Sequence, residues 1–249
     1  MKSPIQMITP ILGITLLITA GCTSYPRHIA DNDHSSAVTE SSAPQTLGTQ
    51  WGEDIQSSVQ SVRAIRLSQT PYDSLTIHYR GELVPSHVYT QTAIPLSPLI
   101  IQVINEEKGQ PMPLYRDKQG RYILPALDGM RYSLRIANND RKRTYEAVTT
   151  VDGLDVLNGQ AGSFRNSGYL IRPGKQVEID GFRKSSQEVA AFRFTTPENA
   201  YVNQNRQGDE RNIGVIGMAI FEVKEALPDC DANPFPADTK YAPAPCTKR

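Results

Sequence analysis

The chain has 249 residues, 39% of them hydrophobic and 21% charged, with 26 Lys and Arg against 26 Asp and Glu. A formal net charge of zero argues against a dedicated nucleic-acid binder, which is normally clearly basic, and against attachment to membranes through a polybasic face. The length suits one large domain or two small ones.

The first element is a secretory leader. Lys2 precedes an apolar stretch from Ile8 to Ala20, which is too short for a spanning helix and ends in small residues. No second apolar run approaches the roughly 18 residues of a membrane span. The run Ile18-Thr19-Ala20-Gly21-Cys22 resembles the lipobox of bacterial lipoproteins. That resemblance implies removal of residues 1–21 and fatty acylation, with palmitate as one chain, of Cys22 as the new N-terminus. Thr19 departs from the family pattern, where Leu is commonest. The alternative is an ordinary leader followed by a structural cysteine. Thr23 rather than Asp follows Cys22. By the family's sorting rule this implies the outer membrane, with the body facing the periplasm. Loss of Lys2 takes the formal net charge from zero to minus one.

Residues 22–48 are rich in Ser, Thr, Ala, Asp and Pro and poor in large apolar side chains. Such a segment buries too little surface to offset its ordering entropy and reads as a flexible, disordered tether. His28 and His34 lie here beside Asp31 and Asp33, where solvated linker is a better reading than a metal site.

An N-terminal β region is expected over 49–129. Asp54 to Arg66 shows patchy helical spacing through Ile55, Val59, Val62 and Ile65, giving either a short helix or an extended lead-in. After Pro71 the period becomes two, with Leu75, Ile77 and Tyr79 alternating with Thr76, His78 and Arg80. His87 to Thr90 reads as a possible partner strand. Leu99 to Ile104 suits a buried strand. Glu106 to Gly109 and Asp117 to Gly120 carry turn chemistry, and a short strand follows at Arg121 to Leu124.

A β-sandwich domain is expected over 130–226. Tyr132, Leu134 and Ile136 alternate with polar neighbours, Asn138-Asn139-Asp140 turns the chain, and Tyr145, Ala147, Thr149 and Val151 form a second strand. This reads as a hairpin. Asp152-Gly153, Asn158-Gly159, Pro173-Gly174 and Asp180-Gly181 mark turns. Further strands are expected at 168–171, 177–179, 189–194 and 213–223. The tail, 227–249, is Pro-rich, and the oxidising compartment implies a disulfide between Cys230 and Cys246.

Short strands cut by Gly, Pro, Asn and Asp at regular spacing define the fold class: all-β, a β-sandwich or related Greek-key fold. The region 49–129 either joins this sandwich or forms its own unit. From Thr149 to Val223 the chain resembles a domain of uncharacterised bacterial proteins, many of them exported. The likeness is carried by Val151 to Val156, Gly168 to Ile171, Ile179 to Ser185, Val189 to Phe194, Tyr201, and Arg211 to Gly217. It implies a domain boundary and no reaction.

No catalytic, metal or cofactor signature stands out. His78 and His87 have no HExxH spacing, and no G-x-S-x-G elbow occurs. Asp152 with Asp155, and Glu178 with Asp180, form carboxylate pairs, but Asp before Gly is common turn chemistry. The best ligand-binding candidates are Tyr169, Arg172, Phe182, Arg183, Lys184 and Tyr201, an aromatic and basic set suited to an anionic or glycan ligand. The competing reading has Phe182 plugging the sandwich edge while the cations face water. The expectation is a lipid-anchored envelope protein, non-enzymatic, that binds an envelope protein or polymer and no nucleic acid. The alternatives are an envelope hydrolase acting on glycan or peptide, and an anchored subunit of a secretion or surface assembly.

Overall fold

A computed structural model describes residues 43–226. The expected leader, Cys22, nearly all of the expected tether, and the tail with Cys230 and Cys246 lie outside the described residues. Eight principal strands carry the fold: β1 (Gly48–Gln56), β2 (Asp73–Gly81), β3 (Leu99–Asn105), β4 (Tyr122–Ala126), β5 (Arg131–Asn138), β6 (Thr144–Val151), β7 (Glu188–Thr195) and β8 (Val215–Glu225). Their period-two patterns put one face of each into a shared interior. Leu75, Ile77 and Tyr79 of β2 are buried, as are Tyr132, Leu134 and Ile136 of β5.

The described residues are nearly all β, with two sheets and only short helical turns between Pro197 and Asn212. The first runs β6–β8–β2–β4 and is extended by Leu114–Arg116 and Thr90–Gln91. The second runs β1–β7–β5–β3 and is extended by Ile94–Leu96. Sequence regions 49–129 and 130–226 interleave in both. β2 lies between β8 and β4, and β3 pairs with β5 from Tyr132 opposite Asn105 to Asn138 opposite Leu99. The two regions therefore form one sandwich. β4 runs parallel to β2, Tyr122 opposite Ile77 and Ala126 opposite Gly81. A parallel return needs a long crossover, and this one passes through the second sheet.

Several local expectations change. Of the two readings of Asp54 to Arg66, the extended one holds and the helical one does not: β1 runs to Gln56, and Ala64–Arg66 forms a short strand against the end of β8. The expected hairpin of β5 and β6 is instead a crossing between sheets, because β5 pairs in the second sheet and β6 in the first. Both strands turn apolar faces to the interior, so they oppose each other across it. The connecting bend is held by Asn138, whose amide donates to the carbonyls of Arg143 (2.8 Å) and Ile171 (3.0 Å). Near His87, only Thr90–Gln91 pairs as strand. Gly181 opens the short strand Gly181–Arg183 instead of a turn. A Cβ there would lie 1.9 Å from the Ala190 carbonyl oxygen, so only glycine allows that approach.

The interior is strung on aromatic rings. Tyr132 stacks on Phe194 with centroids 4.1 Å apart and on Phe192 at 5.2 Å, and Tyr79 leans on Phe194 from the other sheet at 5.0 Å. The outer faces differ. That of the second sheet carries interleaved Arg131, Arg193, Arg135, Glu53, Glu106 and Glu178. That of the first carries a small apolar cluster, Val148, Ala219, Phe221 and Val223. The Arg66 guanidinium covers it, 3.8 Å from the Phe221 ring centroid.

Candidate functional site

The segment after β1 crosses from one sheet to the other and closes the side of the sandwich. Ser57 and Val59 donate backbone N–H groups to Gln187 and Ser186 (2.8 and 2.9 Å), and the Arg63 carbonyl accepts from Ala226 at the end of β8 (2.9 Å). This strap, residues 57–63, roofs a cavity of about 680 Å³ over Tyr169–Ile171 and Gln176–Ile179. Serine hydroxyls and Gln60 line the roof, Val59, Leu157 and Val177 supply apolar surface, and Arg172 and Glu178 add charge. A concave site with apolar walls and a few polar groups is the usual form of a ligand pocket.

Two of the six ligand candidates named from the sequence, Tyr169 and Arg172, line this cavity. Arg183 acts from behind it. Its guanidinium donates to the Tyr169 hydroxyl (2.9 Å) and to the Ser57 carbonyl, tying the strap to the floor. Ser57 also donates its hydroxyl to Asp180 (2.8 Å). Burial raises the Tyr169 phenol above its ordinary range, and the Arg183 cation pulls against it. Arg172 is gripped by Glu225 through two 2.8 Å bonds, and Lys184 pairs with Asp54. Phe182 is buried and packs edge-on to Phe192 at 5.1 Å. Tyr201, half-buried, leans against Trp51 (4.8 Å), which is 39% exposed. The structure therefore does not gather the six into one open basic surface. Phe182 fills the interior, and Arg172, Arg183 and Lys184 each have an internal partner.

The strap itself was hidden in the sequence. Its signal is the serine cluster Ser57, Ser58 and Ser61, masked by apolar spacing that imitates a helix.

His78 lines a separate cavity of about 370 Å³ with Arg80, Arg121, Gln45 and Thr46, and no carboxylate or serine lines it. Burial lowers the His78 pKa, with Arg121 and Arg80 adding to the effect and Asp117 opposing it. His87 does not line that cavity. Ser57 and Asp180 form a hydroxyl–carboxylate pair without an imidazole between them, and what that pair does is anchor the strap.

The strongest polar constellation lies elsewhere, between the sheets. Asp152 sits at φ 51° before Gly153, and its carboxylate points inward. One oxygen accepts from the Tyr79 hydroxyl (2.5 Å) and the Gly214 N–H (2.9 Å), and the other accepts from the Thr49 N–H (2.7 Å). Since Tyr79 donates to the carboxylate, the Thr49 hydroxyl donates to Tyr79 (2.8 Å) and accepts from Tyr132 (2.7 Å). The relay spans both sheets. Burial pushes the Asp152 carboxyl up to about 6 while the surrounding donors pull it down. Both tyrosines are raised well above the ordinary phenol range, first by burial. All four residues are almost completely enclosed, so the cluster is a structural pin rather than a reaction centre.

Among the described residues, no group of three or more His, Cys, Asp or Glu is placed to hold a metal, and no helix is long and apolar enough to cross a membrane. Neither a family model, nor a curated protein, nor a solved structure matches the chain.

Proposed function

We propose that this protein is a lipid-anchored component of the bacterial envelope, held by acyl chains on Cys22 at the outer membrane, whose β-sandwich is a non-enzymatic binding module facing the periplasm. The anchor is supported by Lys2, the apolar run to Ala20, and the small residues before Cys22. We further propose that a Cys230–Cys246 disulfide closes the tail and that the 149–223 segment is akin to a domain of uncharacterised bacterial proteins, many of them exported.

The observation that carries the binding reading is the strap cavity. It offers hydroxyl and amide groups beside apolar walls, and its one arginine is already neutralised by Glu225. Those groups suit a polar, largely uncharged stretch of envelope polymer or of a partner protein. In-cell photocrosslinking tests it, with p-benzoylphenylalanine at Gln60 on the strap and, as a control, at Lys118 in a remote turn. The reading expects a discrete adduct from position 60, identified by mass spectrometry, and none from 118. Silence at 60, or the same adducts from both positions, overturns it. Replacing Cys22 with Ser tests the anchor through loss of vesicle sedimentation and of labelled palmitate.

A further inference from the structure

The two ends of the sandwich expose different surfaces. At one end β2 finishes at Gly81 beside Ala126 of β4, β3 finishes at Asn105, and β5 begins at Arg131. The loops there present Leu83 (83% exposed), Val84 (38%) and Leu127 (55%) to solvent. Behind them is a hollow of about 310 Å³ walled by Pro111, Met112, Pro113, Pro125 and Met130. Charged groups facing this end are mixed in sign: Lys108 lines the hollow, Glu82 is paired with Arg80, and Glu107 and Asp128 lie in the adjoining turns. The end is apolar at its tip and near neutral around it. Projecting apolar side chains of this kind mark an interaction surface.

The course of the chain says what covers it. Gln45 pairs with Gly81 and Thr46 with Arg80, antiparallel, so the polypeptide enters the sandwich at this same end. Only residues 23–44 separate the entry from Cys22. A chain of that length reaches at most about 75 Å. An acyl chain on Cys22 therefore confines the entry end to that distance from the bilayer, and every other part of the sandwich lies further along the chain. The strap leaves β1 at the opposite end, since β1 runs from Gly48, opposite Thr195, to Gln56, opposite Glu188, before the strap crosses the side of the sandwich.

We propose that the end bearing Leu83, Val84 and Leu127 rests on the phospholipid surface and turns the strap cavity away from the bilayer, toward a partner. This rests on the anchor at Cys22 and adds an orientation to it. With mixed charge around the tip, apolar burial in the interfacial layer holds the contact, and attraction to anionic lipid contributes little.

A second exposed apolar set, Val62, Ile65, Leu67 and Tyr72, flanks the short strand that pairs with the far end of β8. It provides the internal control. The test uses full-length acylated protein in phosphatidylethanolamine–phosphatidylglycerol vesicles containing radiolabelled phospholipid. Single variants Leu83→p-benzoylphenylalanine, Leu127→p-benzoylphenylalanine and Leu67→p-benzoylphenylalanine are irradiated, and lipid adducts are counted. All three positions are exposed, and thermal melting confirms that each variant is folded. Adducts from 83 and 127 are expected to exceed those from 67 on the order of tenfold, the preference that one buried leucine confers. Equal yields, or a dominant signal from 67, overturn the inference while leaving the anchor intact. A Cys22→Ser variant that sediments unchanged, or wild-type protein without an acyl chain, overturns the anchor whatever the adduct pattern.

Discussion

Asp152 in the middle of the sandwich and Glu53 on the outer face of the second sheet are both acids held by several donors, yet their surroundings differ. Asp152 is 1% exposed and has one hydroxyl and two backbone N–H groups aimed at it. Glu53 meets Arg193 at 2.8 Å and Arg131 at 3.5 Å, with its side chain 44% exposed. Water stands in for a lost partner at Glu53 and has no access at Asp152. Between them lies the Arg66–Glu146 pair, 15% and 11% exposed, which also latches the loop carbonyls of Phe164 and Asn166. The gradient teaches that burial, more than the number of partners, sets what a polar contact is worth.

Substitution along that gradient breaks or sharpens the comparison. The largest effect is expected from Asp152→Ala, which orphans the Thr49 and Gly214 N–H groups and the Tyr79 hydroxyl. A loss of roughly 3 to 5 kcal/mol in urea unfolding is expected. A loss no larger than that of an outer-face variant removes the pin from the account.

The pH response of the same residue is next. Its folded pKa of about 6 lies above the unfolded value, so between pH 4 and pH 6 the folded state holds the extra proton. Its contribution to stability is therefore greatest below pH 4 and is lost as pH rises through 6, a change of roughly 2 to 3 kcal/mol. Asp152→Asn cannot titrate. Subtracting its unfolding free energies from those of the wild type across this range should give a falling line, and a flat difference would contradict the burial of the carboxyl.

Arg66→Ala comes third, at about 2 kcal/mol, since it strands the partly buried Glu146 and uncovers Phe221. Faster proteolytic cleavage at residues 163–167 should accompany it, because Arg66 is what fastens that loop. Arg66→Lys cannot make the forked contacts and should not restore protection. The smallest change is expected for Glu53→Gln, below about 0.5 kcal/mol and shrinking further in molar salt. A salt-independent loss equal to that at Arg66 would mean that the outer ladder is a cooperative network.

Much of the fold was legible because strands and turns are written in near neighbours. Leu75-Ile77-Tyr79, Tyr132-Leu134-Ile136 and the glycines after Asp152 and Asn158 behave as their patterns predict, with positive φ at Gly153 and Gly159. The strap was legible only as one of two readings, because apolar residues three and four apart occur in extended chain as well as in helix. The β5–β6 connection was misjudged for a related reason. A hairpin and an inter-sheet bend share the same turn residues, and only the partners of each strand tell them apart. Of the six candidates, Tyr169 and Arg172 line the cavity, whereas Phe182 belongs to the interior.

By itself the sequence determined the all-β class and the positions of most strands and turns, each set by residues within a few places of one another. Tertiary structure decided which sheet each strand joined, that Asp152 within its turn aims inward as a buried pin, and that Arg183 directs its charge to Tyr169 and the strap. Those outcomes depend on groups far apart in the chain, 103 residues between Thr49 and Asp152 and 126 between Ser57 and Arg183. No local pattern encodes such a meeting, since it is folding around a shared apolar interior that brings the two groups out of water together.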